Sequence, residues 1–266
     1  MTAALNNLGM EQETRDPRAA ATAAAHVRVA GLGVTIEDRA ILRHVELTIP
    51  AGQFIALLGA NGAGKSTLLK VLSTLLPSSS GTLELFGMNL KSSGGSGVAI
   101  RRRIGLIGHQ SMLYHDLSAL ENLEFFGRLY GVKNARGRAL ELLSQLGLAA
   151  RAKDPVKGFS RGMAQRVSIA RALLHDPELL LADEPFAGLD APSTALLERT
   201  LMTLHAAGKT IILANHDIRQ SLALAQRAIV LARGQKVLDA EASSLDLEMV
   251  LAHMQPAAGT PDGGTR

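Results

Sequence analysis

The sequence predicts an α/β fold in which helices cover a mostly parallel sheet. Three short apolar runs, at residues 54–58, 179–182 and 211–214, lack the alternation of a half-buried strand. Such runs are typical of strands buried on both faces, although a run this short can also be a buried helix segment. Apolar residues at helical spacing follow the first run at 68–76 and recur at 163–174. Repeated strand and helix segments are the pattern of an α/β domain.

Length and composition restrict the domain count and the class of partner. The 266 residues, 47% of them hydrophobic, fit one globular domain or one domain with a subdomain. A net charge of +4 and 3% aromatic residues give little basis for nucleic-acid binding, so we expect no nucleic-acid partner. The chain has no cysteine, which excludes disulfides and thiolate metal sites. Arg101, Arg102 and Arg103 form the only basic run, which we interpret as a solvated edge.

The chain divides into a folded centre and two flanking segments. Residues 1–25 are polar and then alanine-rich, which predicts a disordered leader without the features of a signal peptide. The domain itself is expected at 26–240, with helical spacing and no buried-strand run at about 111–160, where we predict an inserted helical subdomain. Residues 241–266 are predicted to form a C-terminal helix and a loose tail. No apolar run reaches the roughly 20 residues of a membrane-spanning helix.

The break after the first strand carries the strongest chemical signal. Residues 59–66 match the pattern G-x-x-x-x-G-K-[S/T] at the point where a strand gives way to a helix. Backbone N–H groups of such a loop turn inward around phosphate, the lysine reaches the outer phosphates, and the hydroxyl reaches Mg²⁺. The residues predicted to hold the nucleotide phosphates are Gly59, Ala60, Asn61, Gly62, Ala63, Gly64, Lys65, Ser66 and Thr67.

Polar residues also follow the other two strands. Asp183 ends the second strand, where its carboxylate can hold Mg²⁺ opposite Ser66. Glu184 is a second acid that the metal does not need, so we expect it to orient or deprotonate the attacking water. His216 follows the third strand and can contact the terminal phosphate, although a lone histidine is often structural. Ligands gather at the carboxyl ends of parallel strands, so we expect these groups at one sheet edge.

The order of motifs resembles that of the ATP-binding-cassette ATPases. It comprises the phosphate loop, the segment 159–166, the strand 179–185, the segment 187–190 and His216, and the resemblance spans about residues 26–240. It implies a P-loop NTPase core with a mostly parallel sheet, an N-terminal antiparallel β part and an inserted helical subdomain. It also implies that ATP and Mg²⁺ are bound, that Gln110 joins Ser66 and Asp183 around the metal, that Glu184 is the catalytic base and that His216 is the switch histidine.

The resemblance further implies that the chain works as a pair. Ser160 and Gly162 belong to the signature that grips the γ-phosphate of ATP bound to a second ATPase subunit, with Asp190 at the seam. Independently, residues 160–162 begin a predicted helix and so form a second helix-terminus anion site. A homodimer on the cytoplasmic face of the cell membrane, peripheral through transmembrane transporter subunits, is therefore expected.

Three positions depart from the family pattern. Arg161 and Met163 replace residues of the usual Leu-Ser-Gly-Gly-Gln signature. Arg161 either adds positive charge beside the γ-phosphate or faces solvent or the interface. Ile36 stands where the family usually presents an aromatic ring to adenine, so we expect adenine to rest on an aliphatic surface.

A narrower resemblance concerns residues 108–131. This stretch is similar to the ATPase subunit of the haem exporter of cytochrome c maturation, which implies ATP-driven haem export. ATPases of drug, lipid or polysaccharide exporters share part of it and remain an alternative, and a non-transport ATPase of the same superfamily is a further one. His109 and His115 are expected to shape a contact with the membrane subunit rather than to ligate haem.

Overall fold

A computed structural model describes residues 25–90, 97–108 and 111–254. The leader predicted at 1–25, apart from Ala25, and the tail beyond Met254 lie outside the described residues. The strands are β1 (Ala25–Ile36), β2 (Arg39–Pro50), β3 (Phe54–Leu58), β4 (Ser80–Leu85), β5 (Met88–Asn89), β6 (Ile104–Ile107), β7 (Leu179–Asp183), β8 (Thr210–Ala214), β9 (Arg227–Ala232) and β10 (Gln235–Glu241). The α-helices are α1 (Lys65–Leu72), α2 (Gly97–Arg101), α3 (Ala119–Tyr130), α4 (Ala135–Gln145), α5 (Arg161–Leu173), α6 (Ala191–Ala206), α7 (Ile218–Leu224) and α8 (Leu247–Met254).

The strands form two sheets. A four-stranded antiparallel sheet has the order β2-β1-β4-β5, and a six-stranded sheet has the order β10-β9-β3-β8-β7-β6. All neighbours in the larger sheet are parallel except β9 and β10. The three apolar runs form β3, β8 and β7, which are adjacent in that sheet. The predicted α/β class, with its mostly parallel sheet and N-terminal antiparallel part, is confirmed.

Both faces of the larger sheet are covered, which explains why its strands lack alternation. Every residue of β3, β7 and β8 is buried. Ile55 packs in one cluster with Leu68 of α1 and Val29 of the antiparallel sheet. Phe54, on the opposite face, packs in a second cluster with residues of α3 to α6. Because the three strands are adjacent and parallel, their carboxyl ends lie at one edge of a sheet that is packed on both faces.

The first helix is shorter than its leucine spacing predicts. Apolar residues continue to position 76, but α1 ends at Leu72. Thr74 has a φ of 62°, which an α-helix cannot accommodate, and the Ser73 amide donates to the carbonyl of Leu69. Leu75 is 55% exposed. The helix predicted over 68–76 is therefore wrong in its last turn, because the chain turns away before the pattern ends.

The segment 111–160 contains α3 and α4 and two 3-10 helices. Helix α3 begins with a capping box in which Ser118 and Glu121 satisfy each other's backbone N–H groups. The fully buried Asn122 accepts from the Tyr114 amide at 2.8 Å and donates to the Tyr114 carbonyl at 2.9 Å. This side chain therefore fixes the loop that precedes the helix.

The basic run at 101–103 is not uniformly solvated. Arg103 donates two hydrogen bonds to the Glu178 carboxylate, at 2.5 and 2.6 Å, and its guanidinium lies 3.9 Å from the centre of the Phe86 ring. Arg101 and Arg102 are exposed, as predicted. The prediction of a solvated edge is therefore wrong for Arg103, whose side chain bonds Glu178 just before β7 and packs on Phe86 in the turn between β4 and β5.

Candidate functional site

The phosphate loop connects the buried β3 to α1. Gly59 and Gly64 have φ angles of 152° and 104°, which side chains other than glycine rarely adopt. A Cβ at Gly64 would also lie 2.6 Å from Leu42 Cδ2 and 3.2 Å from the Ile41 carbonyl oxygen. Both glycines are thus required by their backbone angles, and each also by a close approach, of β2 to Gly64 and of the Leu231 carbonyl of β9 to Gly59.

Lys65 closes the loop from its helical end. Its Nζ donates to the carbonyls of Gly59 at 2.6 Å and Ala60 at 3.1 Å, and the residue is only 8% exposed. Burial lowers the pKa of the ammonium group, while the nearby carboxylates of Glu184 and Asp183 act in the opposite direction. The cation is therefore held inside the loop, with acidic groups near it.

A cavity of about 530 Å³, which we call the phosphate cavity, brings the loop together with the two acids Asp183 and Glu184. It is lined by Ile41, Asn61, Gly62, Ala63, Gly64, Lys65, Ser66, Thr67, Asp183 and Glu184. The structure thus gathers residues that are more than a hundred positions apart in the sequence. The lining does not include Ile36, which is 41% exposed at the end of β1. Ile41 belongs to no motif, and it lines the cavity because β2 passes beside the loop.

The two acids differ in their surroundings. Asp183 ends β7 and is 8% exposed. Glu184 has a φ of 49°, and its backbone N–H donates to the Ala214 carbonyl at 2.8 Å. The next residue is tied to α5, because Gln165 Nε2 donates to the Pro185 carbonyl at 3.1 Å. Glu184 also lines a second cavity, of about 160 Å³, together with Arg161 and Gln165.

His216 lies just past the end of β8. It is exposed and does not line the phosphate cavity. Its backbone N–H donates to Asn215 Oδ1 at 2.9 Å, and Asn215 is 2% exposed. The His216 imidazole therefore lies on a loop whose backbone is held by the buried Asn215 side chain.

The signature residues occupy a separate surface. Ser160 caps α5 by accepting a hydrogen bond from the Met163 amide, and Asp190 caps α6 by accepting from the Ser193 amide. The pKa of Asp190 is below its ordinary value mainly because of a hydrogen bond with the Ser193 side chain, and secondly because of the bond from the Ser193 amide. A Cβ at Gly162 would lie 3.3 Å from the Gly188 carbonyl, so the two helix starts are close together. Neither Ser160, Gly162 nor Asp190 lines the phosphate cavity.

The residues assigned to Mg²⁺ offer only oxygen ligands. Ser66 and Asp183 both line the phosphate cavity, whereas Gln110, like His109, lies outside the described residues. Among the residues that the structure describes, no three His, Cys, Asp or Glu side chains form a metal-binding group. A hydroxyl and one carboxylate fit a hard cation that takes its other ligands from phosphates and water.

Comparison with known proteins agrees with this geometry. A model of the ABC transporter family matches residues 42–187, which include the phosphate loop and both acids. The chain belongs to the ABC transporter family. It is an ATP-binding subunit of an ABC transporter and an ATPase.

Individual relatives differ in what they transport. The ABC transporter ATP-binding protein NatA of Bacillus subtilis (strain 168) is 36% identical over 77% of this chain and 83% of its own. The phosphonates import ATP-binding protein PhnC 2 of Nostoc is 40% identical, covering 80% and 91%. The daunorubicin resistance ATP-binding protein DrrA3 of Streptomyces coeruleorubidus is 36% identical, covering 79% and 66%. These names span import and drug resistance, so they leave the direction and the cargo of this family member open.

Solved structures of ATPase cassettes have the same fold. The dimeric post-hydrolysis structure of the cassette MJ0796, bound to ADP and Pi, aligns with a TM-score of 0.75 at 29% identity, covering 81% of this chain and 98% of that one. The cbiO1 structure from Clostridium perfringens, part of the transporter complex cbiONQ, aligns at 0.74 with 27% identity, covering 86% and 93%. Within the described part of this ABC family member, no helix has the length and apolar character needed to span a bilayer.

Proposed function

We propose that two copies of this chain bind ATP between them and drive export through a separate transmembrane partner. The observation that carries the proposal is the separation of two anion sites. The phosphate cavity is lined by residues 61–67 of the loop but not by Ser160, Gly162 or Asp190, which lie together on another surface. Two copies arranged head to tail would place the signature of one over the cavity of the other. The dimeric MJ0796 cassette supports such an arrangement.

The loop and its lysine would bind the nucleotide. Backbone N–H groups of 59–67 at the start of α1 donate hydrogen bonds to the phosphate oxygens, and Lys65 neutralises the outer phosphates. Ser66, Asp183 and Gln110 would hold Mg²⁺, which when bound neutralises charge that develops on the phosphates. Ile36 would offer adenine an aliphatic surface.

Hydrolysis would depend on Glu184 and His216. The Glu184 carboxylate accepts a proton from the attacking water, in a position set by the bond from its amide to the Ala214 carbonyl. His216 contacts the terminal phosphate from the neighbouring strand end. Ser160 Oγ and the Gly162 N–H donate to that phosphate from the second copy, and the reaction is promoted mainly by positioning and charge neutralisation.

The variant Glu184→Gln tests this assignment. With the base removed, ATP still binds but is not hydrolysed, so we expect turnover to fall by at least about 100-fold and a stable dimer to form. Light scattering after gel filtration with magnesium and ATP would show doubling of the mass. Glu248→Gln, which changes an exposed carboxylate on α8, is the control and should remain active. A Glu184→Gln protein that hydrolyses ATP normally, or stays monomeric with nucleotide, contradicts the proposal.

An exposed apolar surface on the helical segment would receive the membrane partner. Met112, Tyr114, Phe125 and Leu129 are each 43–65% exposed. The rings of Tyr114, Phe125 and Phe126 pack against one another with centres 5.2–6.2 Å apart. The chain has only eight Phe and Tyr residues in total, six Phe and two Tyr, so this cluster is a concentrated apolar patch. A patch of this kind favours protein contact, which would hold the chain peripherally at the cytoplasmic face of the membrane.

We propose haem as the cargo, on the basis of the resemblance of residues 108–131 and the aliphatic Ile36. Export of a drug, lipid or polysaccharide is the alternative, which the name of DrrA3 favours for drugs. Purification of the complex from membranes would identify the hydrophobic subunits bound to this chain. ATP turnover of that complex, measured with haem and with candidate drugs, then separates the two. Stimulation by haem supports the proposal, and stimulation by another cargo alone contradicts it.

A further inference from the structure

A chain of side-chain hydrogen bonds runs from α6 to the loop of His216. Glu198 Oε1 on α6 accepts from Gln220 Nε2 at 2.7 Å. Gln220 Oε1 accepts from Asn215 Nδ2 at 2.8 Å, and Asn215 Oδ1 accepts from the His216 backbone N–H at 2.9 Å. A continuous series of three side chains, from α6, α7 and the end of β8, therefore ends at the backbone N–H of His216.

The direction of this chain is fixed by its ends. The His216 backbone N–H can only donate, so Asn215 must present its oxygen there and its nitrogen to Gln220. Gln220 must then present its oxygen to Asn215 and its nitrogen to an acceptor, which the ionised Glu198 carboxylate supplies. Each amide has one allowed orientation as a result.

Burial makes the chain sensitive to change. Asn215 is 2% exposed, so an amide group left without partners there would be costly. Gln220 is also held by its backbone, because its N–H donates to Asp217 Oδ1 at 3.0 Å at the start of α7. The loop therefore has little freedom to move independently of Gln220.

The far end of the chain lies on a helix that starts at the signature surface. Helix α6 is capped by Asp190, and Glu198 follows eight residues later, about 12 Å along the helix axis. The segment before Asp190 contacts the signature, since a Cβ at Gly188 would lie 2.8 Å from Arg161 Cδ. One rigid element therefore connects the surface proposed to meet the second copy with the loop of His216.

We infer that Gln220 is a positioning residue that sets the His216 loop through Asn215, and that Glu198 couples this loop to α6. The inference rests on the proposed role of His216 in hydrolysis. It assigns a role to residues that belong to no motif. It also predicts that the environment of the His216 ring changes when the donor and acceptor of the Gln220–Glu198 hydrogen bond are altered.

The test first replaces the donor at position 220 by an acceptor, and then also replaces the acceptor at position 198 by a donor. Gln220→Glu sets a carboxylate against Glu198, so we expect kcat for ATP to fall about tenfold while KM changes less than threefold. The double change Glu198→Gln with Gln220→Glu restores one donor and one acceptor, with the donor now at position 198 and the acceptor at position 220. We expect that variant to recover to within about twofold of the wild-type kcat, although it retains both substitutions.

A second measurement does not require turnover. The His216 ring signal in the NMR spectrum, assigned by its loss in His216→Gln, should shift in Gln220→Glu and return in the double variant. The matched control is the Gln145–Glu141 pair on α4, where Gln145 Nε2 donates to Glu141 Oε1 at 3.1 Å. Gln145→Glu should leave kcat and the His216 signal unchanged.

The outcomes separate the inference from the proposed function. A folded Gln220→Glu protein with wild-type kcat and an unmoved His216 signal overturns the inference, as does a double variant that recovers neither property. If His216→Gln retains normal turnover while the ring signal follows the Gln220 polarity, the proposed role of His216 is wrong and the positioning contact stands.

Discussion

At the scale of single residues, Lys65 is a buried ammonium group whose N–H donors are only partly used by the loop itself. Among the described residues its three N–H donors meet two carbonyl oxygens, those of Gly59 and Ala60, which leaves one donor for a phosphate oxygen. Burial disfavours the charged form, as the direction of its pKa shift indicates. An incoming phosphate would place negative charge and hydrogen-bond acceptors directly beside the ammonium group. The residue is therefore suited to bind anions rather than to stabilise the empty loop.

Arg161 has a different environment from the one that its sequence position suggests. Its aliphatic stem packs over Gly188, and it lines the smaller cavity with Glu184 of the same chain. We therefore predict that Arg161→Gly lowers kcat about threefold through the loss of a cation near the base, with KM for ATP within twofold of wild type. Steady-state ATPase kinetics would measure both constants.

A charge-conserving variant controls this prediction. Arg161→Lys should keep kcat within about twofold, because the positive charge remains near Glu184. A rise in KM at unchanged kcat would instead favour a contact between Arg161 and the phosphate of the second copy. No change in either constant would leave Arg161 as an interface or surface residue.

At the scale of elements, the same capping device begins helices that have different roles. Ser118 caps α3, with Glu121 completing the box, while Ser160 caps α5 at the signature. Removing either hydroxyl costs about 1 kcal/mol of helix stability. The comparison of the two serines therefore separates capping from a contact with nucleotide.

We predict that Ser118→Ala and Ser160→Ala both lower the midpoint of thermal unfolding by about 2–4 °C. Only Ser160→Ala should also reduce ATP turnover, by about tenfold, and weaken ATP-dependent dimerisation in a Glu184→Gln background. Scanning calorimetry and light scattering measure the two effects. Equal turnover in the two variants would show that Ser160 acts as a cap alone.

Local sequence predicts elements that depend on local chemistry. The strands β3, β7 and β8 follow from uninterrupted apolar residues, and the phosphate loop follows from glycine and lysine spacing. The end of α1 was not predictable from leucine spacing, since an unexpected φ at Thr74 turns the chain.

Contacts between distant segments could not be predicted from the same information. Ile41 reaches the phosphate cavity only because β2 crosses beside the loop. The Glu198–Gln220 contact joins residues 22 positions apart on separate helices, and the Arg103–Glu178 pair joins residues 75 positions apart. No catalytic or binding motif contains these residues, and the basic run that contains Arg103 did not indicate its partner, so their roles depend on tertiary packing.

At the scale of the whole molecule, one polar cluster connects the two sheets at the amino-terminal ends of the parallel strands. His26 of β1 hydrogen-bonds through Nδ1 to Thr210 Oγ1 of β8 at 2.8 Å. Glu178, just before β7, bonds Arg103, whose guanidinium packs on Phe86 beside the antiparallel sheet. Thr210 is fully buried and also accepts from the Gly52 amide. The cluster lies at the edge opposite the nucleotide site, so it should affect stability rather than turnover.

Glu178 gives this cluster a pH dependence of known sign. Hydrogen bonds from Arg103 hold the pKa of Glu178 below its ordinary value of 4.5. A carboxyl group with a lowered pKa in the folded state stabilises the protein fully above 4.5, and this contribution is lost as the pH falls below that value. We predict that Glu178→Gln lowers the unfolding midpoint by about 2–4 °C at pH 7, and that the difference from wild type shrinks between pH 4.5 and pH 3. Thermal unfolding monitored by circular dichroism would measure this, with the exposed Glu248→Gln as the control. A difference that stays constant down to pH 3 would show that the ionised form of Glu178 contributes nothing to the join between the sheets.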